Sequence, residues 1–140
     1  MNVVIDTNIW ISALISKDGV SREIIRQALK EDISPQISTT LFLEYEAVMK
    51  REKIQNLCSL SVSEQEELFQ AFLSTCKWNE IFYLWRPNLD DEGDNFLMEL
   101  AIASNSKVII TDNIKDIEFG ELKFDIEVLT PKIFLERYKS

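Results

Sequence analysis

Histidine is absent from the 140 residues. This removes every mechanism built on imidazole: no Ser-His-Asp arrangement, no histidine base and no histidine metal ligand. Cysteine is nearly as scarce, since Cys58 and Cys76 stand alone, lack CxxC spacing and cannot complete a four-ligand zinc site. Free thiols of a reducing compartment are a simpler reading than a disulfide framework. Three glycines and three prolines leave little material for a linker, and there is no repeat or low-complexity segment. No stretch approaches the ~20 apolar residues needed to span a bilayer. The amino terminus lacks a basic n-region, and Asp6 and Asn8 interrupt its apolar run. A signal peptide is therefore not expected, and the expected location is cytoplasmic, with no membrane partner.

Positive charge is also in short supply. Acidic residues outnumber basic ones 24 to 15, for a formal net charge of -9. Broad electrostatic adhesion to nucleic acid or to an anionic membrane is disfavoured, although a local basic patch remains compatible with this balance. A second reason for so many carboxylates is that some are gathered to hold cations. What the chain has in quantity is apolar surface, 46% of its residues, enough for the core of one domain over 1–140.

The apolar pattern predicts alternating strands and helices. Val3 to Ile5 form a short β-branched run that stops at Asp6, and Ile9, Trp10, Ala13 and Leu14 then take helical spacing. A second helix is expected from Ser21, with Ile24, Ile25, Ala28 and Leu29 on one stripe. Ser34 to Ser38 is a short strand candidate. Thr39 or Thr40 can cap a helix reaching about Arg51, and Ser63 can cap another with Glu66 and Glu67 in its first turn. Residues 81–85, IFYLW, could form a strand, followed by an acidic turn and a helix bearing Leu97, Leu100, Ala101 and Ser104. KVIIT at 107–111 and IEVLT at 126–130 read as strands, and TPKIFLERY as a closing helix with Pro131 in its first turn. Continuous rather than alternating apolar strands indicate a parallel sheet covered on both faces, hence an α/β fold.

Acids then occur where acids are costly. In such a sheet, ligands bind beyond the carboxyl ends of the strands, where strand order reverses. Asp6 closes the first strand and Asp112 closes KVIIT, so both point to one crevice, although either alone could serve as a helix cap or a turn residue. Glu44 lies beside the stripe Leu41, Tyr45 and Val48, whereas Glu46 points away. A carboxylate on a buried face costs several kcal/mol unless it is paired or binds a metal. Its alternative partners are Arg22, Arg26 or Lys50. Asp90, Asp91, Glu92 and Asp94 crowd the start of one helix; capping and the helix dipole account for one or two of them, but four like charges repel unless a cation intervenes.

Asp6, Glu44, Asp94 and Asp112, with Asp91 and Asp116 as further candidates, are thus carboxylates expected to converge without His or Cys. All-oxygen ligation selects hard cations, Mg²⁺ or Mn²⁺, in one or two ions. Such a site serves phosphoryl transfer, with water as the nucleophile. Thr7, Asn8, Ser12 and Asn113 could orient the water around the ion, and each could equally be a cap.

The order VIDTN, an acid inside the apolar helix LFLEYEAVM, D-x-x-D before FLMELA, and then VIITDN resembles the PIN-domain ribonucleases. Among these it is most similar to the single-domain, VapC-like toxins of toxin–antitoxin pairs. The resemblance runs from Val3 to about Ile133. It implies a three-layer α/β/α sandwich with a parallel sheet of about five strands, and Mg²⁺- or Mn²⁺-dependent cleavage of RNA. It places the first three acidic ligands at Asp6, Glu44 and Asp94, with Asn8 as polar neighbour and Asp91 as auxiliary ligand. The fourth acid of the family falls on Asn113, so Asp112 or Asp116 would have to substitute. A homodimer and an antitoxin that blocks the acidic pocket are also implied.

Lys17, Arg22, Arg26, Arg51, Lys53, Arg86 and Lys115 are candidates for the RNA backbone, with Arg22, Arg51 and Lys115 preferred; each could equally be a solvated surface residue. Trp10, Trp78, Tyr83 and Trp85 could stack on bases, but filling a core or an interface is the expected role. The second reading is a catalytically weakened or inactive module of the same fold that binds RNA or a protein, supported by Asn113. A third is another Mg²⁺-dependent α/β protein. A haloacid dehalogenase-type phosphatase would want DxDxT where this chain has DTN. A receiver domain would want an acidic pair after its first strand and a lone aspartate closing a middle strand, and neither pattern occurs.

Overall fold

The computed structural model of the chain describes residues 1–81, 95–113 and 126–138. The strands are β1 (Asn2–Ile5), β2 (Ser34–Ile37), β3 (Lys77–Trp78), β4 (Val108–Ile110) and β5 (Glu127–Leu129). The helices among the described residues are α1 (Thr7–Ile15), α2 (Val20–Leu29), α3 (Thr39–Met49), α4 (Glu52–Leu57), α5 (Val62–Thr75), α6 (Asn95–Ala103) and α7 (Pro131–Arg137).

Val3, Val4 and Ile5 of β1 and Val108, Ile109 and Ile110 of β4 are all completely buried. That is why their sequences run apolar without alternation: a central parallel strand is covered on both faces. The five strands form one parallel sheet in the order β3-β2-β1-β4-β5. The path from β1 moves outward through β2 to β3, then returns to β4 on the other side of β1. Right-handed crossovers in opposite directions place their helices on opposite faces of the sheet. The result is the expected α/β/α sandwich. On one side α6 crosses β1, β2 and β4, while α1 packs on α2 and α3, and α2 on α5 and α7.

The helix starts follow side-chain chemistry more closely than sequence spacing suggested. α3 is capped by Ser38, whose Oγ accepts from the Leu41 N–H at 3.2 Å, rather than by Thr39 or Thr40. α5 begins after Ser61, not Ser63, because Ser61 and Glu64 form a reciprocal capping box. α2 starts behind Gly19, with Ser21 already inside the helix and buried. α4, which the sequence reading lacks, buries none of its residues and so leaves no apolar stripe to detect. The expected strand at 81–85 falls, apart from Ile81, outside the described residues; the strand found nearby is the two-residue β3, exposed at the sheet's edge.

An aromatic cluster pins α1, α3 and α5 together. Trp10 is completely buried and lies parallel to Phe72, centroids 5.3 Å apart, with Tyr45 and Phe69 tilted against it. Trp10 is thus a core residue, as expected, and is closed to a base. The Tyr45 hydroxyl donates to the Ile5 carbonyl, fastening the middle of α3 to the end of β1. Tyr45→Phe should strand that buried acceptor and destabilise the fold by about 1–2 kcal/mol, a drop of several degrees in Tm. An unchanged melting temperature would contradict the anchoring role.

Candidate active site

Asp6 sits where β1 stops and α1 starts. Its backbone N–H still reaches the Ile110 carbonyl of β4 at 2.9 Å, and its extended φ/ψ makes it the N-cap of α1. The side chain is held on three sides. Oδ1 accepts from the Thr7 N–H at 2.7 Å, and Oδ2 accepts from the Thr111 hydroxyl at 2.6 Å and the Asn8 amide at 3.3 Å. Thr111 also accepts from the Asn113 N–H at 3.0 Å, and Asn8 Oδ1 accepts from the Asp112 N–H at 3.5 Å. The turn after β4 is therefore tied to the carboxylate that ends β1. Because chain order steps away from β1 and β4 in opposite directions, this is the switch point of the sheet, where an open α/β fold forms its crevice.

A cleft of about 410 Å³ opens there. Asp6, Thr7, Asn8, Ser12, Glu44 and Asn113 line it, and Ile11, Val48 and Phe96 supply its apolar wall. Glu44 reaches the cleft from α3, one residue before Tyr45, so the bond from Tyr45 to β1 also positions Glu44. Glu46, as its helical phase predicts, faces away and lies near Lys50 at 4.0 Å.

The cations proposed as ordinary partners for Glu44 are engaged elsewhere. Arg22 donates from Nε to the Ala13 carbonyl at 2.6 Å, Arg26 pairs with Glu23 at 3.1 Å and also reaches the Lys17 carbonyl, and Lys50 belongs to Glu46. Among the described residues, neither Asp6 nor Glu44 has an ion pair. Burial holds the Asp6 carboxyl above its ordinary value; the bonds from Thr111 and Thr7 pull it down, and the charges of Asp112 and Glu44 push it up again. The thiols take no part, since burial pushes Cys76 up to about 12 and Cys58 bonds to the Leu14 carbonyl.

Asp112 is exposed, close enough for its charge to be felt at Asp6, while the cleft wall at this turn is Asn113. Asp91, Asp94 and Asp116, like Arg86, Lys115, Tyr83 and Trp85, lie outside the described residues. Among the described residues, no three Asp, Glu, His or Cys side chains gather closely enough to hold a metal. Lys17, Arg51 and Lys53 are exposed.

Two residues of this arrangement escaped the sequence reading: Thr111, read only as the end of an apolar strand, and Tyr45, read only as part of an apolar stripe. Thr7 carries a further signal. It is only 8% exposed, lines the cleft, and its Oγ1 has no hydrogen-bond partner among the described residues.

The raised pKa of Asp6 has a definite sign. The folded chain holds this proton to higher pH than the unfolded one. The group's contribution is therefore complete below its ordinary value of 3.8 and lost as pH rises through the raised folded value. Asp6→Asn preserves an N-cap without the charge. In chelator, its Tm relative to wild type should improve as pH is raised from ~3.5 to ~7. A difference that stays flat or declines across this range would contradict the burial argument.

Comparison with known proteins bears on the family and the fold. The chain is 28% identical over 152 residues to the uncharacterized protein MJ1680 of Methanocaldococcus jannaschii, an alignment covering 100% of this chain and 93% of that protein. Its fold is similar to a chain in the crystal structure of VapBC2 from Rickettsia felis bound to a DNA fragment from their promoter. That match has a TM-score of 0.57 at 18% identity and covers 91% of this chain and 97% of that one. The family model described as PIN domain matches residues 2–115, from the start of β1 through Asp6, Glu44 and the turn after β4, and the chain belongs to the PIN-domain family.

Proposed function

We propose that this protein is a Mg²⁺- or Mn²⁺-dependent endoribonuclease, the toxin of a toxin–antitoxin pair acting in the cytoplasm as a single domain. PIN domains are typically nucleases and generally use divalent metal ions, which sets the chemical class. The observation that carries the finer reading is a pair of carboxylates, Asp6 and Glu44, facing one cleft with no cation paired to either among the described residues. The donor set fits a hard cation. It is all oxygen, and Thr7, which lines the same cleft, keeps a buried hydroxyl without a partner among the described residues.

Asp6 and Glu44 would hold the ion, with Asp94 and Asp91 completing the set and Asp112 or Asp116 supplying the fourth acid. When bound, such an ion would supply acidity to water and positive charge at the phosphate for hydrolysis. The protein's own groups do the positioning. Thr111 and Thr7 hold the Asp6 carboxylate, the Tyr45 anchor would steady Glu44, and Asn8, Ser12 and Asn113, which line the cleft, would orient water and the phosphate oxygens. Exposed Arg51, with Lys115 beyond the described residues, would steady the RNA backbone. Arg22 is the weaker candidate, because its guanidinium is partly buried and bonded to Ala13. The likeness to a VapBC2 chain supports an antitoxin as partner, and a homodimer is the assembly expected with it.

Asn113 favours one alternative, an RNA- or protein-binding module with weakened catalysis, because an amide lines the cleft at the place of the family's fourth acid. The two readings separate in one assay. The nuclease reading expects Mn²⁺-dependent cleavage of single-stranded RNA, abolished by EDTA and reduced at least ~100-fold by Asp6→Asn or Glu44→Gln with unchanged circular dichroism. Cleavage by the wild type that survives both substitutions would refute the assignment; binding with no cleavage would favour the weakened module. Chelation should also lower the wild-type Tm more than that of Glu44→Gln, and equal shifts would remove the ion from Glu44.

A further inference from the structure

Resting on the nuclease reading, we propose that Trp78, with Thr39, Thr40 and Asn79, forms a subsite that stacks one unpaired base of the RNA strand beside the acidic cleft. Trp78 closes the edge strand β3 and is 54% exposed, although 46% of the chain is apolar and Trp10 is wholly inside. Its ring is nonetheless held in place. Phe42 lies against it with centroids 5.5 Å apart, and Phe42 is itself stacked in parallel on Phe69 at 5.9 Å. An exposed ring braced by a neighbour suits a stacking platform, because less side-chain freedom is lost on binding.

Beside the ring is an open cavity of about 480 Å³ lined by the hydroxyl-bearing Thr39 and Thr40, by Asn79 and by Glu80. The Asn79 amide nitrogen is committed to Gln36 Oε1 at 3.0 Å and to the Lys77 and Ile37 carbonyls, and Gln36 is buried. Among the described residues, Asn79 therefore has its carbonyl oxygen left to offer. With the Glu80 carboxylate, the cavity presents acceptors, which suit a base carrying an exocyclic amino group better than uracil.

α3 lines both this cavity and the proposed site of chemistry. Thr40 lines the cavity and Glu44 lines the acidic cleft, four residues apart on one face of the helix and about 6 Å along its axis. Charge strengthens the case. With a net charge of -9 the protein has little general attraction for phosphate, so contacts that do not depend on positive potential, such as base stacking, add to what Arg51 and Lys115 would supply.

The test uses the full chain carrying Asp6→Asn, in chelator, and a fluorescein-labelled single-stranded oligoadenylate. Adding Trp78→Leu, which keeps apolar bulk without a π face, should weaken Kd about tenfold, whereas Trp78→Phe should stay within about threefold. Oligouridylate should bind more weakly than oligoadenylate, and Trp78→Leu should narrow that gap. Equal Kd values with and without the Trp78→Leu change overturn the subsite, as does a Trp78-dependent affinity for a protein partner with none for RNA. Cleavage that depends on Asp6 but not on Trp78 likewise removes the subsite and leaves the nuclease reading standing. Trp78-dependent binding by a wild type that never cleaves keeps the subsite and removes the nuclease.

Discussion

Asp6 gives up most of its water at the end of the central strand, and among the described residues no lysine or arginine compensates it. The protein supplies dipoles in place of a counter-charge: the Thr7 N–H, the Thr111 hydroxyl and the Asn8 amide. These fix the carboxylate's position without neutralising it, and burial and the nearby negative charges hold its pKa up. Leaving a partly buried acid uncompensated is costly in folding terms. It becomes intelligible if the missing positive charge comes from outside the chain.

The sheet topology explains why the carboxylate stands there. β1 and β4 lie side by side at the centre, and the chain leaves them in opposite directions, so the loops at their carboxyl ends diverge and leave a crevice. Asp6 closes one strand and Thr111 the other, so a hydrogen bond joins the ends of two inner strands across the switch point. α3 brings the second carboxylate in from the side, and its aim depends on one buried hydroxyl, that of Tyr45, bonded to the carbonyl just before Asp6. The aromatic cluster of Trp10, Tyr45 and Phe72 is thus continuous with the site, and core packing becomes a determinant of carboxylate geometry.

Much of this was legible from residue order. Runs such as VVI and VII are too short for helices and too uniformly apolar for half-buried strands, so a parallel sheet followed, and Glu44 betrayed itself by sitting beside an apolar stripe. What stayed hidden has physical reasons. β3 has two residues and α4 buries none, so neither leaves a periodic signal. Ser61 and Ser63 are equally plausible caps until Glu64 closes the box with one of them. The partners of Thr111 and Tyr45 lie 105 and 40 residues away, and no local pattern encodes a bond of that span. Arg22, Arg26 and Lys50 were reasonable partners for Glu44 by charge alone; only three-dimensional placement shows each committed elsewhere.

The central claim is that Asp6 and Glu44 are ligands awaiting one cation rather than two unrelated acids at a cleft. Anomalous diffraction from crystals soaked in Mn²⁺ addresses it directly. The account predicts an anomalous peak in the cleft within direct coordination distance of both carboxylates, with Thr111 still bonded to Asp6. A soaked crystal without manganese there, or with either carboxylate paired to an arginine or lysine, would contradict it.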